Sequence, residues 1–148
     1  MGTVTNYLGP NAVVFLDNME KSQALEALCA AACQGTGLDC VNVYPGVVER
    51  EGLMTTGIGL GIALPHVRLP SAQKFTIALG ISKKGIDYGA LDHKPVHIIL
   101  LMVGPSRSHD EYLQLMARIT LVLRQEACRQ ALLAANTPQE VREALDRF

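Results

Sequence analysis

The sequence predicts an α/β fold: a single-domain sandwich over 1–148, with a mixed central β-sheet flanked by helices on both faces. Three observations predict it. Strand-length apolar runs at 13–16, 75–81 and 96–103 are interleaved with segments whose apolar residues recur at helical spacing. The run from Val96 to Val103 is apolar almost throughout, as expected of a central strand covered on both faces. The chain has 148 residues, 49% of them hydrophobic, which suits one domain with a real core, and no repeat, linker or low-complexity stretch divides it.

Val13-Val14-Phe15-Leu16 reads as a short strand or extended entry. Asp17 or Asn18 is placed to cap a helix over 18–34, where Ala24, Leu25, Leu28, Cys29, Ala32 and Cys33 share an apolar face. Gly35 and Gly37 are stop signals. Asp39 is a candidate cap for a second helix, which Pro45-Gly46 is expected to interrupt or restart. Val47, Val48 and Glu51 then fit a last helical piece, with Arg50 on another side. Strand 75–81 is expected to close at Lys83-Lys84-Gly85, and strand 96–103 at Gly104-Pro105. Ser108 is placed to cap a helix running to about residue 124, with Asp110 and Glu111 in the first turn where the helix dipole favours negative charge. A short helix covers Glu126 to Ala134. Thr137-Pro138-Gln139-Glu140 is a capping box with proline at the first helical position, and it opens a terminal helix over 138–147.

Composition excludes several classes of function. Net charge is −1, with basic residues scattered rather than striped, which argues against a nucleic-acid partner. Tryptophan is absent and aromatic residues are 5%, so base-stacking platforms are not expected. No apolar run reaches the ~18 residues that span a bilayer, and the first residues lack the pattern of a secretion signal. The expected compartment is the cytoplasm, with no membrane insertion. Cys29, Cys33, Cys40 and Cys128 show no disulfide-framework spacing; Cys29 and Cys33 read as small core residues. His93 and His97 are four apart, but Pro95 forbids the helix that would align them on a metal. They read as a surface turn residue and a strand residue, so no metal site is expected.

The most informative stretch runs from Thr55 to Arg68. Gly57, Gly59 and Gly61 stand at alternate positions, where backbone can turn sharply or approach a ligand. The apolar run Leu60 to Leu64 reads as the end of a buried strand, stopped by Pro65, which places His66 where the strand leaves the core. An unperturbed imidazole has a pKa of ~6.5, so its neutral, nucleophilic form is well populated near neutrality. Arg68 follows two residues on, and the Arg50-Glu51 pair precedes. Glycine N–H groups, an arginine and a neutral imidazole are the parts needed to hold a phosphoryl group on nitrogen. No P-loop is present, because Pro65-His66 and not Gly-Lys-Ser follows the glycines.

Arg50-Glu51, Thr55-Thr56-Gly57-Ile58-Gly59 and Gly61-Ile62-Ala63-Leu64-Pro65-His66 closely resemble enzyme IIA of the phosphoenolpyruvate-dependent sugar phosphotransferase system, fructose/mannitol type, which includes nitrogen-regulatory proteins. The resemblance continues through Gly85-Ile86-Asp87, Pro95 to Leu101, Tyr112-Leu113-Gln114-Leu115 and Leu133 to Leu145. It implies that His66 accepts phosphate from a histidine phosphocarrier protein and passes it to a IIB component, or serves as a signal to a regulatory target. The alternative is a non-catalytic regulatory module whose partner binding depends on phosphorylation state. No cofactor is implied. Phosphate stabilisation falls to Arg50, Thr56 and the loop N–H groups around Gly57 and Gly59. The family places a second histidine near the first; aligned on Leu113-Gln114-Leu115, this chain has Tyr112 there, with His109 one turn earlier. Either His109 substitutes, or Tyr112 donates its hydroxyl, or the support is missing. Val67 and Leu69 are the expected apolar docking residues, with Leu60, Ile62 and Leu64 buried.

Overall fold

A computed structural model describes residues 4–34 and 40–148. Gly35, Gly37 and Asp39, read above as stop signals and a cap, lie outside the described residues. After a 3₁₀ turn at Val4–Tyr7 the elements run β1 (Leu8–Phe15), α1 (Lys21–Cys33), α2 (Val43–Leu53), β2 (Gly57–Gly59), β3 (Ile62–Ala63), β4 (His66–Leu69), β5 (Thr76–Ile86), β6 (Val96–Pro105), α3 (His109–Leu123), α4 (Glu126–Ala134) and α5 (Pro138–Asp146).

The strands form one mixed sheet in the order β1-β5-β6-β3-β2, with β4 also paired to β6. β1 is parallel to β5, β5 antiparallel to β6, and both β3 and β4 parallel to β6. Every residue of β6 except His97 is buried, as are the first seven of β5, so both faces of the central strands are covered. α1 packs on β1 and β5, α4 on β5, α5 on β1, and α2 on β4. This is the mixed α/β arrangement the alternating segments predict.

Local departures have local causes. β1 starts at Leu8 because Gly9-Pro10-Asn11 is absorbed in a register shift between Leu8 and Val13, tolerable on an edge strand. α1 is capped at Glu20, whose backbone N–H donates to Gln23 Oε1 at 2.9 Å. Asp17 instead accepts from Ser82 Oγ at 3.3 Å and from the Lys84 N–H at 3.0 Å. α2 runs through Pro45 without interruption, because proline in a first turn gives up an N–H that has no intrahelical partner there. β5 continues past Lys83-Lys84 to Ile86 through an irregularity, its lysines exposed. Ser108 takes the N-cap position of α3 in a left-handed conformation (φ 65°), and its side chain makes no capping bond. Thr137 does cap α5, accepting the Glu140 N–H at 3.1 Å.

Candidate functional site

The site is built where one strand breaks and restarts. β3 pairs with Ile98 and Ile99, and β4 pairs with Met102 to Pro105, so the two lie end to end along β6. Pro65 between them has no N–H to donate, but its carbonyl accepts from Met102 N at 3.0 Å. The strand therefore resumes at His66 and does not leave the core there as the proline suggests.

His66 is half-buried at the start of β4. Its Nδ1 lies 3.0 Å from the Leu64 carbonyl. A carbonyl only accepts, so Nδ1 carries the proton and the neutral ring keeps its lone pair on Nε2. Tyr112 Oη stands 3.4 Å from Nε2 as donor. Burial pushes the His66 pKa below its ordinary 6.5; the Leu64 bond opposes this, and the charges of Arg50 and Arg68 add to it. The imidazole is thus held neutral, in one tautomer, with its nucleophilic nitrogen away from the strand backbone.

α2 lies against β4 because Gly46 allows it. A Cβ at Gly46 would stand 2.5 Å from Val67 Cγ2. This approach brings Glu49, Arg50 and Leu53 alongside His66, Arg68 and Tyr112 around a hollow of about 400 Å³. Arg50 donates to the Met54 carbonyl at 3.0 Å. Arg68 donates Nε to Pro105 O at 3.2 Å, and Nη2 to Ser106 O at 3.0 Å and Arg107 O at 3.2 Å. Its guanidinium lies 4.5 Å from the centre of the Tyr112 ring.

His66, Arg50 and Tyr112 are therefore brought together. His109 borders the group through its Nδ1, which accepts from Arg68 Nη1 at 3.3 Å. Thr56, Gly57 and Gly59 stand elsewhere. Thr56 is buried, its N–H bonded to Glu51 at 3.0 Å and its hydroxyl to Glu51 at 2.5 Å and Tyr88 at 2.9 Å. The Gly57 N–H donates to Thr55 Oγ1 at 3.2 Å. Gly59 ends β2, and the two-residue turn after it places Leu60 (φ 60°) and Gly61 (φ 75°) in the left-handed region, as a tight hairpin with that twist requires. The glycine run is the hairpin that precedes the histidine strand, and none of these three residues lines the hollow.

The mouth of the site differs from the expected docking surface. Val67 is only 7% exposed, being packed on Gly46, whereas Leu53 is 80% exposed. Leu60, expected to be buried, is 55% exposed at its turn; Ile62 and Leu64 are buried. Sequence reasoning notes Arg68 as a charge near His66 but assigns it no role, because its partners lie 37 to 41 positions away and leave no local signal. A larger hollow, about 730 Å³, opens on the opposite face of α2 beside Lys21, Tyr44 and Glu51; no imidazole lines it. Among the described residues no group of three His, Cys, Asp or Glu side chains is set to hold a metal ion. His97 donates Nδ1–H to Ser82 O at 2.9 Å.

A mixed α/β sandwich that presents a half-buried histidine beside two arginines has the parts that could hold a phosphoryl group on an imidazole nitrogen. Residues 7–148 match the family described as phosphoenolpyruvate-dependent sugar phosphotransferase system, EIIA 2, and the chain belongs to that family. It is 31% identical over 143 residues to a nitrogen regulatory protein of Bradyrhizobium diazoefficiens, covering 96% of this chain and 94% of the relative. The fold superposes on the nitrogen regulatory protein IIA-Ntr of Neisseria meningitidis with a TM-score of 0.86 at 24% identity, covering 96% of this chain and 98% of that one. It also superposes on enzyme IIA of the Escherichia coli mannitol system, solved in complex with phosphorylated enzyme IIB, with a TM-score of 0.78 at 17% identity and 95% and 97% coverage. Among the described residues no helix is long and apolar enough to cross a membrane.

Proposed function

We propose that the chain is a cytoplasmic IIA phosphoryl carrier that takes a phosphoryl group on Nε2 of His66 from a histidine phosphocarrier and passes it on. The observation that carries this is the Nδ1 contact to the Leu64 carbonyl, which leaves Nε2 as the nucleophilic nitrogen. In the transfer the Nε2 lone pair forms the new N–P bond while the donor's N–P bond breaks, and its electron pair returns to the donor ring. The proton stays on Nδ1, hydrogen-bonded to the Leu64 carbonyl. Such steps ask the protein for position and charge, not covalent chemistry. Arg50 faces the incoming oxygens with a permanently charged, planar donor set. Tyr112 offers a hydroxyl. Thr56, Gly57 and Gly59 contribute through the backbone that sets β3 and β4.

The next acceptor is a IIB component, as the mannitol IIA complex supports by analogy of fold. A regulatory use of the same phosphohistidine is the second reading, favoured by the nearly full-length similarity to a nitrogen regulatory protein. Incubation with phosphoenolpyruvate, enzyme I and the phosphocarrier, followed by intact mass, tests the acceptor. A phosphate-sized gain that disappears in His66→Ala is expected; the same gain persisting there places the phosphate elsewhere. Growth of a deletion strain on fructose or mannitol separates the two uses, a specific sugar defect supporting the relay.

A further inference from the structure

We infer that Arg68 is a positioning residue that sets the Tyr112 ring, so that the Tyr112 hydroxyl and not His109 is the second hydrogen-bonding group at the phosphoryl site. This rests on the reading of His66 as acceptor.

Two arginines border the hollow, and they are engaged differently. Among the described residues Arg50 makes one hydrogen bond, to the Met54 carbonyl. Arg68 uses Nε and Nη2 on the carbonyls of Pro105, Ser106 and Arg107, and Nη1 on His109 Nδ1. Four of its five N–H donors thus have partners within the protein. A guanidinium so occupied is a brace rather than an open phosphate clamp.

What it braces is the turn that launches α3. Ser108 at that turn is left-handed and supplies no side-chain cap, so the helix start needs another restraint. Arg68 supplies one by tying three consecutive carbonyls of the turn to β4, whose register places Arg68 opposite Gly104. Tyr112 lies in the first turn of that helix, with its ring under the guanidinium at 4.5 Å, a cation–π distance. The ring sits between two imidazoles, 5.9 Å from His66 and 6.0 Å from His109, and its hydroxyl reaches Nε2 of His66. His109 does not line the hollow, and because a guanidinium only donates, its Nδ1 lone pair is directed at Arg68. On transfer the Tyr112 O–H moves from the Nε2 lone pair to a phosphoryl oxygen, and no proton leaves it.

The test is single-turnover transfer from the phosphorylated phosphocarrier to wild type, Tyr112→Phe, Arg68→Met and the double variant, with thermal melting as a folding control. Loss of one neutral hydrogen bond predicts a roughly five-fold slower transfer for Tyr112→Phe. Arg68→Met is expected to slow transfer to a similar extent, with the apparent KM for the phosphocarrier unchanged. The double variant is expected to be no slower than either single one, since Arg68 acts through Tyr112. The His66 ring ¹⁵N shifts should move alike in both single variants. Multiplying effects in the double variant, a wild-type rate for Tyr112→Phe, or a larger loss in His109→Gln than in Tyr112→Phe overturns the inference. If Arg68→Met does not fold, Arg68→Gln, which keeps a donor for the turn but removes the charge over the ring, takes its place with the same expectations. Phosphate retained by His66→Ala is the separate result that defeats the underlying reading.

Discussion

Arg50 and Glu51 are adjacent in sequence and face opposite sides of α2. Arg50 borders the hollow that holds His66, while the Glu51 carboxylate, 7% exposed, turns inward to Lys21 Nζ at 2.9 Å. Glu51 also accepts from the Thr56 N–H and hydroxyl and from the Tyr88 hydroxyl at 3.1 Å. One helix turn therefore carries a charge at the hollow beside His66 and a charge in a buried hydrogen-bond network. Arg50→Ala is expected to slow phosphoryl transfer by about 10- to 100-fold while changing stability by less than about 0.5 kcal/mol. Glu51→Ala removes the partner of a largely buried charge and of three other donors, and should cost about 3 kcal/mol in urea unfolding. Equal stability of the two variants would refute this division.

Glu51 also sets an acid limit. Burial alone would raise its pKa, but the hydrogen bonds from Thr56 and Lys21 outweigh it and hold the carboxyl below its ordinary 4.5. A depressed carboxyl contributes stability that is full above its unfolded value and is lost as pH falls through the folded one. Wild type should lose stability below about pH 4.5 more steeply than Glu51→Gln, as read from urea midpoints across pH 3 to 6.

His66 titrates with the same sign for a different reason. Burial favours the neutral ring, so its folded pKa lies below 6.5. Its contribution to stability is complete above 6.5 and declines as pH falls toward the folded value. The nucleophilic form should accordingly persist below pH 6.5. An NMR titration of the His66 ring should give a midpoint under that of a free histidine. A midpoint at or above 6.5 would mean that the ring is more solvated than the geometry indicates.

Leu60 carries backbone strain at an exposed turn outside the residues that line the hollow. It is exposed and left-handed, a conformation that costs a non-glycine residue about 1–2 kcal/mol. Asparagine tolerates that region better. Leu60→Asn should raise stability by up to about 1 kcal/mol with transfer unaffected by any change at Nε2. A loss of stability would show that the leucine packs more than its exposure suggests.

Most of the fold was legible because its causes are local. Apolar runs mark β5 and β6, Thr137-Pro138 marks α5, and Leu64-Pro65-His66 marks the interruption in the strand. The site was only partly legible. Alternating glycines report backbone freedom, but not which way their N–H groups face; here that freedom makes a hairpin turn at Leu60-Gly61. Pro65 reads as a strand end because its missing N–H is visible in sequence, while its carbonyl's bond to Met102 is not. Arg68 depends on a turn 37 to 39 residues away, which no periodicity reveals.

Gly46 connects packing to chemistry most directly. Its missing side chain lets α2 approach β4, and that approach is what sets Arg50 beside His66. In Gly46→Ala the new Cβ would meet Val67 Cγ2 at 2.5 Å, too close for either atom to stay. The helix must shift outward, at a cost of about 1–3 kcal/mol, and carry Arg50 with it. Transfer should slow as it does in Arg50→Ala, although Arg50 is intact. Val67→Ala removes the clashing methyl, and the remaining Val67 Cβ lies 3.6 Å from the position of the new atom, an ordinary contact. The double variant Gly46→Ala/Val67→Ala should therefore recover much of the rate lost in Gly46→Ala, while Val67→Ala alone shows only a stability loss. If Gly46→Ala transfers at the wild-type rate with its stability reduced, the position of α2 is not what places the guanidinium.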